Sequence, residues 1–102
     1  MARSIRNPKL DTRSARARLA ERREPYWHML TAGLHLGYRR AGAHGGTWIA
    51  RAYDAATRKR AYQALGPADD ALDADGERVL AFAQAQAKAR AWYPRAFTAH
   101  AG

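Results

Sequence analysis

The chain has 102 residues, 18 Lys plus Arg against 9 Asp plus Glu, a formal charge of +9 and no cysteine. That length supports one domain with a small core, and the missing thiols exclude a disulfide framework, cysteine-based zinc sites and a thiol nucleophile. No apolar run of about eighteen residues is present to span a membrane, and no apolar stretch follows the charged N-terminus as in a secretory signal. The expected location is the cytoplasm.

The charge is unevenly placed. Residues 1–24 carry eight basic and three acidic groups, or +5; residues 25–66 carry six and one, again +5; residues 67–102 carry four and five, or −1. A polyanion is the natural partner of the first two segments, and duplex DNA presents one phosphate charge per about 1.7 Å. An anionic membrane fits less well, since no long amphipathic stretch carries large apolar residues.

Residues 1–24 read as a flexible basic arm. Asp11 or Thr12 offers a cap for a helix in residues 10–24, but Leu10 and Leu19 are the only large apolar residues of that run, too few to dock a helix firmly. Residues 25–93 read as the folded unit. Tyr26-Trp27-His28-Met29-Leu30 is an aromatic run able to start a sheet, and Gly33 permits a turn. In the first full strand Leu34, Leu36 and Tyr38 alternate with His35, Gly37 and Arg39. A glycine-rich connection containing His44 follows. In Thr47–Asp54, placing Trp48, Ala50 and Ala52 inward leaves Ile49, Arg51 and Tyr53 on the wet face. Residues 55–58 form the second turn, Lys59–Leu65 the third strand, and Gly66-Pro67 stops it.

The acidic run Asp69, Asp70, Asp73, Asp75 and Glu77 fails as a calcium loop, because Ala71 and Phe82 occupy its first and last ligand positions. These acids are expected to favour the N-terminus of the helix that follows. That helix spans about residues 79–93, with Phe82, Ala85, Ala89 and Trp92 forming one apolar stripe. Residues 94–102 form a tail or the start of a linker. The expected fold is α+β: a three-stranded antiparallel sheet packed on one C-terminal helix, behind a flexible basic N-terminal arm.

The segments GTWIARAYD, KRAYQALGPADD and DGERVLAFAQAQAKARAWY resemble the N-terminal arm-binding domain of phage-type integrases, the tyrosine recombinases. The resemblance covers about residues 8–93. It implies a basic leader, three strands and a C-terminal helix, with the sheet in the DNA major groove and basic contacts matching Arg39, Arg51, Lys59 and Arg60, beside Tyr62. One departure is Arg58, which stands where such sequences place a turn glycine of positive φ. Strand exchange in that family belongs to a separate C-terminal catalytic domain, for which 102 residues leave no room. The resemblance therefore implies a DNA-anchoring piece of a longer enzyme, without catalytic residues of its own, contacting double-stranded DNA and other integrase protomers.

On that reading Arg51, Tyr62 and Gln63 are the base readers. Arg39, Arg40, Arg58, Lys59 and Arg60 are phosphate contacts, and His35 faces out beside Arg39. No cofactor, metal or small-molecule substrate is expected: His28, His35, His44 and His100 lack metal-pair spacing, and Ser4 and Ser14 lie in the arm. The alternative is a single-strand or RNA module with Tyr53, Tyr62 and Trp27 as a stacking platform. A protein–protein module would need an exposed apolar patch that the sequence does not locate.

Overall fold

In the computed structural model of the chain, residues 9–40 and 45–97 are described. The expectations for residues 1–8, residues 98–102, His44 and His100 lie outside them. A short helix α1 (Arg13–Ala17) is followed by four strands, β1 (Tyr26–Thr31), β2 (Leu34–Arg40), β3 (Gly46–Asp54) and β4 (Lys59–Pro67). Helix α2 (Phe82–Trp92) and a single 3-10 turn (Tyr93–Arg95) complete the chain. The strands form one antiparallel sheet in the order β1-β2-β3-β4.

The fold is α+β with an antiparallel sheet and a C-terminal helix, but the sheet has four strands rather than three. The aromatic run before Gly33 is the additional strand. Gly33, at φ 83, turns the chain between Thr31 and Leu34, which lie opposite each other. Two residues thus suffice to fold β1 back onto β2, as tight hairpins require.

One face of the sheet meets α2. Leu34, Leu36 and Tyr38 of β2 and Trp48, Ala50 and Ala52 of β3 are fully buried there, with Ala85 and Ala89 of α2 against them. The two alanines let α2 sit close, while Phe82 and Trp92 pack at its ends, so the predicted stripe is the buried one. Trp48 donates its indole N–H to the carbonyl of Leu80 at 2.7 Å, which satisfies the one polar atom of a buried ring. On the same side, His28 of β1 meets Phe82 edge-on, ring centroids 5.4 Å apart.

Helix α2 starts at Phe82, three residues later than the pattern implies. The backbone of Leu80 is already engaged: its N–H donates to Pro67 and its carbonyl accepts from Asp69. The preceding acids do not reach the helix, which has no acid in its first turn. Asp75 instead accepts from the amides of Glu77, Arg78 and Val79 at 2.9–3.0 Å, closing its own loop and drawing its carboxyl below the ordinary range. Gln84 Oε1 accepts from the N–H of Ala81 at 2.9 Å and covers the helix start without charge.

The basic segment is docked in its described part. Leu10 is buried, and so is Arg16, 1 % exposed. Arg16 Nε donates to Asp70 at 2.9 Å, one Nη to Asp69 and the other to the carbonyl of Leu10 at 2.8 Å. Its guanidinium also lies 5.2 Å from the Trp48 ring centroid and 5.8 Å from that of Tyr38. Counting leucines underrates this segment, because an arginine bound to two carboxylates anchors it.

Among the described residues no helix is long and apolar enough to cross a membrane.

Candidate nucleic-acid interface

Among the described residues, no helix or further strand covers the sheet face opposite α2. The register places its side chains in cross-strand rows. One row runs Met29–His35–Arg51–Tyr62 across all four strands; the next runs Trp27–Gly37–Ile49–Ala64. Arg39 lies beyond them on β2, opposite Thr47, while Tyr53 and Arg60 pair at the other end. Arg39, Arg51, Arg60 and His35 share this face, and none of these strand positions is an acid.

The arginines are held by rings rather than by carboxylates. Arg51 lies over Trp27 with its guanidinium carbon 4.2 Å from the ring centroid, and Arg60 lies over Tyr53 at 5.5 Å. Each such contact contributes about 0.5–1 kcal/mol at an exposed site and leaves the N–H edge free to bind something else. Every salt bridge among the described residues involves Arg13 or Arg16, so Arg39, Arg51 and Arg60 have no acidic partner there. Tyr62, 58 % exposed, tilts against Trp27 with centroids 6.3 Å apart. Arg22, stacked 3.6 Å over Tyr26, lines a shallow groove together with Glu24, Trp27, Arg39, Arg51 and Tyr62.

His35 sits in the same row, half-buried between Met29 and Arg51. Burial first, then the charge of Arg51 and the neighbouring His28, pull its pKa below the ordinary histidine value. These causes favour the neutral imidazole beside Arg51.

Not every expected contact lies here. Gln63 is opposite Ala50 and lines a groove with Lys88, Trp92 and Arg95, on the α2 side of the sheet. Tyr62 and Gln63 could not both read bases from one face, since successive strand residues point to opposite faces. Arg40 likewise falls on the α2 side of the register and lines a groove with Arg13, Ser14 and Asp70. Lys59 pairs with Asp54 at the hairpin end, out of phase with Arg60, and Arg58 is exposed in the turn. The contact set drawn from the sequence is thus divided. His35, Arg39, Arg51, Arg60 and Tyr62 come together, while Arg40, Arg58, Lys59 and Gln63 do not.

Trp27, Met29, Ile49 and Tyr53 join the face without having been expected as DNA contacts. For Ile49 and Tyr53 the signal was available, as they share the parity of Arg51. Trp27 and Met29 required β1 to be recognised as a paired strand.

Among the described residues no group of three or more His, Cys, Asp or Glu could hold a metal ion. Comparison with known protein families, with curated proteins and with solved structures finds no match for this chain. The functional reading therefore rests on the geometry of this face.

Proposed function

We propose that the domain binds double-stranded DNA through the uncovered face of its sheet, as an arm-type anchoring domain of a tyrosine recombinase would. The observation that carries this is the gathering of Arg39, Arg51 and Arg60, none of them ion-paired among the described residues, on one face beside exposed Tyr62 and Met29. Solubility alone does not account for such a surface. Tyr62, Met29 and Tyr53 are 58, 51 and 37 % exposed on the same face as Arg39, Arg51 and Arg60. Strands lie about 4.8 Å apart, so the four-stranded face spans roughly 14 Å between outer axes, and a major groove about 12 Å wide admits two or three of its strands. Arg51, inside the row, and Tyr62, at its β4 end, serve as base readers, and Arg39 and Arg60, at the two ends of the face, as phosphate contacts.

Single-strand stacking is the competing reading, and exposed Tyr53 and Tyr62 favour it. Against it, Arg51 already occupies the Trp27 ring and Arg60 that of Tyr53, which leaves Tyr62 as the one open platform. A pool of duplexes with randomised positions separates the two. The chain is expected to enrich a duplex that it binds about 10³-fold more tightly than an unrelated duplex of equal length. Arg51→Ala is expected to remove at least tenfold of that ratio, measured by fluorescence anisotropy. Equal or tighter binding of single-stranded RNA would overturn the duplex reading.

A further inference from the structure

Trp27 occupies an unusual place. Its row contains the smallest side chains of the face, Gly37 and Ala64, and the ring lies flat across Gly37. A methyl group at Gly37 would stand 2.6 Å from Cζ3 and 2.8 Å from Cε3 of that ring, so no other residue admits this placement. The ring is backed by the sheet, flanked by Tyr62 and topped by Arg51.

Arg51 gains a fixed position from this arrangement. Its cross-strand neighbours are His35 and Tyr62, and no hydrogen bond or ion pair engages its guanidinium among the described residues. A free arginine must give up rotamer freedom when it forms a two-point contact. An arginine already laid on an indole has given up part of that before the ligand arrives. Its planar fork matches one base edge in the major groove, the O6 and N7 acceptors of guanine.

Building on the duplex reading above, we propose that Trp27 is the positioning residue for specificity. It holds Arg51 as a preset fork, and the face thereby requires a guanine at one position of its DNA site. Trp27 itself touches no base. Removing it releases Arg51 without removing a charge, so guanine discrimination falls while phosphate-driven binding stays.

The test uses the full chain and the duplex it enriches from a randomised pool, with 7-deazaguanine replacing one guanine at a time. One replacement is expected to weaken binding about tenfold or more, as the loss of a bidentate partner does. Arg51→Ala should lower affinity for the parent duplex and make that replacement silent. Trp27→Leu should shrink its effect to threefold or less, with the slope of log K against log salt unchanged and native circular dichroism retained. If Trp27→Leu does not fold, Trp27→Met, which keeps apolar bulk over Gly37 without a ring, is read in the same way. A Trp27 variant that folds and keeps the whole 7-deazaguanine effect overturns the inference. So does an enriched duplex with no guanine coupled to Arg51, and in that case duplex binding itself stands. Enrichment of no duplex at all overturns both.

Discussion

Arg58 has φ 61, the one non-glycine residue of positive φ among those described. Its N–H donates to Asp54 O at 2.6 Å, while Asp54 also accepts from Ala56 N–H and the Thr57 hydroxyl, and the hairpin keeps Asp54 opposite Lys59. The turn thus imposes a left-handed conformation that costs a side-chain-bearing residue roughly 1–2 kcal/mol, partly offset by the greater unfolded freedom of glycine. Arg58→Gly is expected to stabilise the domain by about 0.5–1 kcal/mol in urea unfolding, because the exposed side chain contributes no packing. The departure from glycine was legible in the sequence; that the register survives it was not, since only the Asp54 hydrogen bonds reveal that.

Asp70 is a second informative residue. Burial alone would raise its pKa, but hydrogen bonds from Tyr38, Arg16 and the Gly46 amide outweigh burial and hold it below the ordinary carboxyl value. Burial, followed by the bond to Asp70, pushes the Tyr38 hydroxyl up to about 12. With its folded pKa depressed, Asp70 contributes stability that is present above its unfolded value near 3.8 and lost as pH falls through the folded value. The stability difference between wild type and Asp70→Asn should therefore be largest above pH 4 and narrow below it. A difference constant with pH would show that the carboxylate charge is immaterial.

At the level of elements, α1 has only five residues and no stability of its own. It stays in place because Arg16 fills a site made by Asp69 and Asp70 on one side and by the Trp48 and Tyr38 rings on the other. Removing one partner of a buried ion pair costs about 3–5 kcal/mol, because the remaining charges lose their compensation. Arg16→Ala should lower stability by that amount in urea unfolding, and Arg18→Ala, an exposed neighbour, by less than about 0.5 kcal/mol. Side-chain alternation in β2 and β3 and the stripe of α2 could be read from the chain because their periods of 2 and 3.6 are local. The anchoring of α1 could not, since its partners stand more than fifty residues away. Strand β1 escaped a full assignment because both its faces carry large residues: Tyr26, His28 and Leu30 on one, Trp27 and Met29 on the other. Alternation of polarity is absent where both faces are occupied.

Across the whole molecule, charge is sorted. Asp69, Asp70 and Asp73 are bound to Arg13 and Arg16, while no salt bridge among the described residues engages Arg39, Arg51 or Arg60. Arg39, Arg51 and Arg60 are three of the chain's 18 basic residues, and the strand register sets them on one face. Two faces nonetheless carry cations, because Lys88 and Arg95 line the groove beside Gln63 on the α2 side. Backbone amide shifts recorded during titration with the enriched duplex decide between them. The largest changes are expected at Trp27, His35, Arg39, Arg51, Arg60 and Tyr62, with Lys88, Ala91 and Arg95 nearly still. Changes concentrated along α2 and Gln63, with the opposite face unmoved, would contradict the proposal that the uncovered sheet face meets DNA.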